Sequence, residues 1–416
     1  MPLHIFLSTW LGTTFGVLDF AKIAKELFLV AGFLMAIAAS LKQPWFKELF
    51  KDKLVWLILA YGLLTVGLAL IRPTDTDAEI LGVVYNLRFL VFFGYGILLS
   101  RLFSVNELRR KALGVVLAAA AVVLIFGVVQ YTLLPNDALT HVGYERGNGV
   151  LPVFLIDEKP DLERVMSTVR DPNSLGSYII VVALLALVLG WLEKIPKQLA
   201  GGILALALLC LVFTFSRSAW LGFLVAVAVF WGIRYGRQLG SPAFRKYRLI
   251  ALGVLVLAAL SVYPLRDTYF VKNVIFHADE STVLEDPNEL RTRFWRESVE
   301  DIAADPVGSG PGTAGLASIR NEDQGTELNE NYYLQVASEV GVLGLGLFLA
   351  IIGIVGLRLL RLSVGDPMAL ALLASFAGLA LTNLLVHIWS NEAVAYTWWG
   401  LVGLVIFTPL RTPLKN

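Results

Sequence analysis

The sequence predicts an all-α polytopic membrane protein in which about twelve transmembrane helices carry a helical extracytoplasmic cap. Apolar residues make up 57% of the chain, charged residues only 16%, and the mean hydropathy is +0.71. Apolar runs long enough for the roughly 30 Å hydrocarbon core recur along the chain. Two long polar segments, 135–173 and 265–336, interrupt the series. This composition excludes a soluble domain of this length.

The apolar runs give the predicted spans in chain order. They cover residues 4–20, 26–41, 54–71, 79–100, 112–134, 174–192, 199–215, 218–233, 249–264, 337–357, 368–387 and 393–409. The first span is the weakest, because it is short and polar residues interrupt it. We expect a single membrane domain, 1–416, in which the two long segments form an active-site cap.

The short loops set the orientation. Lysines and arginines gather in alternate short loops, including those at Lys42, Arg101, Lys194 and Arg358. Such residues mark the cytoplasmic side, whereas long loops translocate largely regardless of charge. Twelve crossings then place both termini in the cytoplasm and both long segments on the outer face.

Arg217 is the first candidate functional residue. It lies between Ser216 and Ser218 in a very short hairpin between the seventh and eighth spans. An arginine held at the membrane surface is costly unless an anion meets it. The alternative is that its side chain extends to lipid headgroups.

Three more arginines lie on one predicted helix of the cap. Leu290, Phe294 and Ile302 belong to an apolar set at helical spacing, which predicts an amphipathic helix that ends at a Pro- and Gly-rich turn, 306–312. Arg293 has Glu289 and Glu297 four residues away, and Arg296 has Glu300, so ordinary helix pairs explain both. Arg291 has no acid at i±4 and is the most available to a ligand. The turn favours a chain reversal over a phosphate cradle, since it lacks the P-loop pattern.

Glu330, Asn331 and Tyr333 precede or begin the tenth span. On one interpretation the tyrosine anchors the chain at the interface and Glu330 is a favourable charge at a helix N-terminus. On the other, Glu330 is a general base near the arginines.

The remaining candidates precede or lie within spans. Arg164, Arg170 and Asn173 lead into the sixth span, while Arg88 lies inside the fourth, where it has either a ligand or an internal partner. The four histidines lack metal-ligand spacing and the single Cys210 lies in an apolar run, so no metal site is expected.

The order of these motifs resembles the O-antigen ligase and Wzy-type polymerase superfamily of bacterial envelope glycan assembly. The resemblance covers about residues 164–350 and includes the Ser-Arg hairpin, Arg291 with Trp295, the Gly-rich turn and the Asn331–Gln335 segment. It implies a GT-C-like glycosyltransferase of the bacterial inner membrane with a periplasmic active site. The implied reaction is inverting and metal-independent and needs no cofactor.

The resemblance also implies partners and roles. The donor would be a polyprenyl-diphosphate-linked oligosaccharide, held by Arg217 and Arg291 with Arg164, Arg170, Asn173, Arg293, Arg296, Asn331, Tyr333 and Arg88 as further binding residues. The acceptor would be a glycan or lipid A core, with membrane lipid around the protein, no nucleic acid, and room for a chain-length regulator.

The family's ligases usually carry His where this chain has Glu330, which favours a polymerase. An O-antigen ligase and a protein O-oligosaccharyltransferase stay open within the family. Outside it, a transporter is disfavoured because polar groups gather at the outer face rather than the midplane, and a non-catalytic lipid-binding scaffold would not need Glu330.

Overall fold

The computed structural model describes residues 1–156, 159–239, 287–321 and 329–407, which are predominantly helical. The helices are α1 His4–Phe15, α2 Leu18–Leu41, α3 Pro44–Leu49, α4 Lys53–Ile71, α5 Thr76–Leu102, α6 Val105–Leu133, α7 Pro172–Trp191, α8 Lys197–Phe213, α9 Arg217–Leu239, α10 Pro287–Ala304, α11 Tyr332–Leu362, α12 Pro367–Thr382 and α13 Glu392–Ile406. Short 3₁₀ turns cover Ala138–Val142, Arg146–Asn148, Gly315–Arg320 and Ile388–Ser390.

Seven of the described helices are long and apolar enough to cross a membrane, namely α2, α4, α5, α6, α7, α9 and α11. The apolar helices α8, α12 and α13 are shorter, with 17, 16 and 15 residues. The predicted all-α polytopic class is therefore confirmed. The predicted span 249–264 lies outside the described residues.

The first predicted span, 4–20, is wrong. Helix α1 has 12 residues and ends at Gly16, which has a φ of 67°. It rises about 18 Å, well short of the roughly 30 Å apolar layer. It folds back along α2, so that His4 Nδ1 lies 3.2 Å from Lys25 Nζ. The crossing on which the expected cytoplasmic N-terminus depended is therefore missing.

The loops sort to two ends of the bundle. At one end, Arg109 donates to Asp366 at 2.8 Å and Arg358 donates to Asp52 at 2.5 Å. These ion pairs join short loops that were predicted to share the cytoplasmic side. At the other end, the cap end, Arg72 after α4 pairs with Asp305 after α10. The grouping of the loops thus agrees with the predicted topology, and which end faces the cytoplasm stays a prediction.

Helix α7 is the centre of the bundle. Its sequence is apolar on every face, and a helix of that kind is stable only when other helices surround it. It is buried along almost its whole length and packs against α8, α9, α12 and α13. Asp171 caps its first turn by accepting from the backbone N–H of Ser174 at 2.9 Å. The cap end of α7 is therefore a rigid support for the residues around Asn173.

The cap is only partly as expected. Helix α10 confirms the predicted amphipathic helix. Segment 135–173, however, contains an antiparallel hairpin of β1 Leu155–Ile156 and β2 Lys159–Glu163, which was not predicted. Helix α11 begins five residues before the predicted residue 337, and it is broken at Gly341, whose φ and ψ are 78° and 175°.

Candidate functional site

Arg164 and Arg217 lie together at the cap end. The Arg164 guanidinium donates through Nε to the Thr214 carbonyl at 3.0 Å and through Nη2 to Asn173 Oδ1 at 2.8 Å. Thr214 belongs to the hairpin that leads to Arg217, at the first residue of α9. Burial lowers the pKa of Arg164, and the charge of Arg217 also lowers it while Asp171 opposes the shift. Two neighbouring cations repel each other, so this place favours an anion.

Arg291 and Glu330 form an ion pair. Arg291 donates to Glu330 Oε2 through Nε at 2.9 Å and through Nη2 at 2.6 Å. The sequence reasoning missed this partner, because Glu330 comes from 39 residues away rather than from the helix that carries Arg291. Ligand binding by Arg291 stays a prediction. The predicted proximity of Glu330 to an arginine of the cap agrees with the structure.

The cap end of α12 contacts the two segments that carry Arg217 and Glu330. Thr382 Oγ1 lies 3.5 Å from the carbonyl of Ser218, the neighbour of Arg217. The next residue, Asn383, accepts through its carbonyl from the backbone N–H of Tyr332 at 2.9 Å. Ser218, next to Arg217, and Tyr332, two residues after Glu330, therefore contact adjacent residues at the end of α12. Sequence reasoning missed Thr382 and Asn383, which resemble an ordinary polar helix end.

The residues after Glu330 hold it in place. Glu330 has a φ of 42°, a left-handed conformation that is uncommon outside glycine and is often found at functional sites. Asn331 Oδ1 caps α11 by accepting from the N–H groups of Tyr333 and Leu334 at 2.9 and 3.2 Å. The Tyr333 hydroxyl donates to the Ala380 carbonyl at 3.0 Å. Asn331 and Tyr333 thus support the backbone next to Glu330, and their contact with a ligand stays a prediction.

Arg88 and Arg170 belong to a separate polar cluster. Arg88 is buried, with Nη1 3.7 Å from Glu392 Oε2 and its guanidinium 4.7 Å from the Tyr85 ring centre. Arg170 Nη1 lies 3.2 Å from the Tyr85 hydroxyl. The structure therefore favours the internal-partner interpretation for Arg88 over substrate binding. Glu392 gave no signal in the sequence beyond its place at the start of an apolar run.

Arg293 and Arg296 lie on the exposed side of α10. Arg293 Nε is 3.8 Å from Glu297, which agrees with the predicted helix pair. The expected pair of Arg296 with Glu300 is not formed among the described residues. The role of both arginines in binding the donor stays a prediction.

The Gly-rich turn does not cradle a ligand with its backbone. The N–H groups of Ser309 and Gly310 donate to the carbonyls of Ser338 and Glu339 at 2.8 and 3.1 Å, and that of Gly312 donates to Glu339 Oε1 at 2.8 Å. The chain-reversal interpretation is thus supported, and the turn has a further partner in α11. Within the described ranges, no group of three His, Cys, Asp or Glu is suited to a metal ion.

The fold and the site define a class: a polytopic membrane protein with a cationic site at one end of its helical bundle. Residues 202–349 match the family model described as O-antigen ligase. This match confirms the predicted resemblance to the O-antigen ligase and Wzy-type superfamily, and the matched segment contains Arg217, Arg291 and Glu330. No curated protein and no solved structure matches the chain. The matched residues are 148 of the 416 in the sequence, so the similarity to this family concerns about a third of the chain.

Proposed function

We propose that this protein is an inverting, metal-independent glycosyltransferase that polymerises oligosaccharide repeat units from a polyprenyl-diphosphate carrier on the outer face of the membrane. The observation that supports it best is the Arg291–Glu330 pair, whose segment contacts the same end of α12 as the segment that carries Arg217. Arginines are permanently charged and bind phosphate oxygens with two nitrogens, so they are suited to a diphosphate without a metal ion.

In the proposed reaction, Arg164, Arg217 and Glu330 have separate roles. An acceptor hydroxyl attacks the anomeric carbon, the bond from that carbon to the diphosphate oxygen breaks, and the diphosphate leaves with the electron pair. Arg164 and Arg217 stabilise the negative charge on the leaving group. The hydroxyl proton passes to Glu330, whose Oε1 receives no hydrogen bond from the described residues while Oε2 is bound to Arg291. A well-placed base contributes about 10²–10⁴-fold.

The second candidate is an O-antigen ligase that transfers glycan to lipid A core, and O-antigen ligase is the description of the matched family model. Glu330 in the position where the resembling ligases usually carry His favours the polymerase. A chain-length regulator then becomes a partner to test by co-purification.

Transfer is tested with purified protein in lipid, a polyprenyl-diphosphate-linked repeat unit, and no metal or nucleotide sugar. We expect a ladder of longer lipid-linked glycans that is lost in Arg217→Ala and Glu330→Gln and retained in Arg320→Ala, an exposed arginine of the cap. Products that form only after addition of lipid A core would indicate a ligase. No transfer to either acceptor would contradict the proposal and leave the transporter and scaffold hypotheses.

A further inference from the structure

Glu339 is a fully buried carboxylate with no role in the reaction described above. Its Oε1 accepts from the N–H of Gly312 at 2.8 Å, in the turn that follows α10. Its Oε2 accepts from Asn86 Nδ2 of α5 at 2.6 Å and from Gln335 Nε2 at 3.3 Å. A buried carboxylate is stable only when donors satisfy it, and here the donors come from three separate parts of the chain.

Glu339 lies two residues before the break in α11. The break frees backbone groups that a continuous helix would use internally, and the turn 306–312 occupies it. The N–H of Val342 donates to the Pro306 carbonyl at 3.0 Å. A Cβ on Gly308 would lie 2.4 Å from the Gly341 nitrogen, so the two backbones are in direct contact.

This junction lies next to the two elements that carry the site's ion pair. Arg291 is on α10, which ends just before the turn, and Glu330 lies two residues before the first half of α11. Ser338, beside Glu339, accepts through Oγ from Asn329 Nδ2 at 3.3 Å. The Glu339 carboxylate therefore ties the turn that follows α10 to the first half of α11 and to α5.

We propose that Glu339 is a positioning residue that locks the turn into the break of α11 and thereby sets the distance between Arg291 and Glu330. The inference rests on the proposed function, because the Arg291–Glu330 pair takes part in catalysis only if that function is correct. Side chains around a reacting centre must keep their places closely, because a shift of about 1 Å can cost roughly 10²-fold in rate.

The donor pattern makes the variants informative. In Glu339→Gln one acceptor oxygen becomes an N–H₂ group that faces donors, either the N–H of Gly312 or the amides of Asn86 and Gln335. Asn86→Asp with Glu339→Gln restores the hydrogen bond between these two positions with donor and acceptor exchanged, because the carboxylate introduced by Asn86→Asp accepts from the new amide. Asn86→Asp alone places a second carboxylate against that of Glu339, so the two repel each other. It is therefore the second variant that should disrupt the junction.

The test measures position and turnover separately, in a Cys210→Ala background that removes the sequence's single cysteine. Spin labels replace Val299 on α10 and Leu343 on α11, which are 55% and 66% exposed. We expect a narrow distance distribution in the parent protein, a broad one in Glu339→Gln and in Asn86→Asp, and a narrow one again in the double variant. We expect turnover to fall about 10²-fold in both single variants and to recover in the double variant. Glu300→Gln, an exposed acid of α10, is the matched control.

An unchanged distance distribution in both single variants would overturn the proposal. A broadened distribution with unchanged turnover would overturn it too. If the parent protein transfers no glycan, the proposed function fails, and the distance measurement still decides whether Glu339 fixes α10 against α11.

Discussion

At the scale of single residues, the arginines differ by their partners rather than by their place along the chain. Arg291 has no acid within its own helix turn, yet Glu330 meets it with two hydrogen bonds to one oxygen. Arg293 has helix neighbours of opposite charge and lies on an exposed face. Spacing along a helix predicts a contact between helix neighbours, such as that of Arg293. It cannot predict the pair of Arg291 with Glu330, because that pair depends on how separate segments pack.

The two-nitrogen contact of Arg291 predicts the effect of Arg291→Lys. Lysine keeps the charge but is a single point donor, so it cannot hold Glu330 and a diphosphate oxygen in the same fixed geometry. We expect glycan transfer to slow about ten- to hundredfold, measured as the initial rate of ladder formation. Arg320→Lys, in the exposed part of the cap, is the control and should keep the parent rate. Full turnover in Arg291→Lys would show that only charge matters at this position.

Glu163 in β2 predicts a pH dependence of stability. Burial raises the pKa of its carboxyl, although Gln130 Nε2 donates to Oε1 at 3.2 Å. The folded protein therefore binds this proton more tightly than the unfolded chain does. The resulting stabilisation is full below the ordinary glutamate pKa of about 4.3 and is lost as the pH rises through the folded-state value.

We accordingly expect the apparent unfolding temperature to decline over that pH range, and to decline less in Glu163→Gln. The measurement is thermal unfolding in lipid at a series of pH values. Glu145→Gln, an exposed acid of the same segment, should behave like the parent. Parallel curves for the parent and Glu163→Gln would contradict the assignment.

At the scale of elements, the sequence predicted most helices because long apolar runs leave few alternatives in a bilayer. It also predicted α10 from helical spacing. It did not predict the short α1, since apolar content does not reveal where Gly16 turns the chain back. It did not predict the break in α11, because Gly341 is one of several glycines in that run and only the docking of the turn 306–312 distinguishes it.

The break predicts opposite outcomes for two glycines of the same helix. A Cβ at Gly341 would lie 2.2 Å from the Val307 carbonyl oxygen, and the φ of 78° is itself unfavourable for alanine. We expect Gly341→Ala to cost roughly 1–3 kcal/mol from backbone strain, with the clash added to it. Gly346→Ala, where nothing lies within 4 Å, should be neutral or slightly stabilising. Comparable unfolding temperatures for the two variants would show that the break is not required.

At the scale of the whole molecule, ion pairs hold the bundle at both ends. Away from the cap, Arg109 donates to Asp366 and also to the Leu404 carbonyl at 3.0 Å, which joins α6 to α12 and α13. Towards the cap end, Glu392 at the start of α13 meets Lys25 of α2 and Arg88 of α5. The sequence shows that these charged residues are present but not which of them pair. Their pairing required the packing of helices that are hundreds of residues apart in the chain.

Because of the Lys25–Glu392–Arg88 cluster, we expect removal of the Glu392 charge to lower the stability of the whole protein. The three side chains are 12%, 9% and 8% exposed, so water does little to solvate whatever charge is left unpaired. Glu392→Gln leaves two buried cations without their carboxylate, and breaking a buried pair in this way costs roughly 3–5 kcal/mol.

We expect a correspondingly large fall in the unfolding temperature of Glu392→Gln in lipid. Lys25→Met should cost less, because Glu392 keeps Arg88 as its partner. Glu107→Gln is the matched control: its 2.8 Å pair with Lys111 is more than half exposed, and such pairs contribute about 0–1 kcal/mol. If Glu392→Gln were no less stable than Glu107→Gln, the cluster could not be what ties α2, α5 and α13 together. Helix packing alone would then have to hold the cap end of the bundle in place.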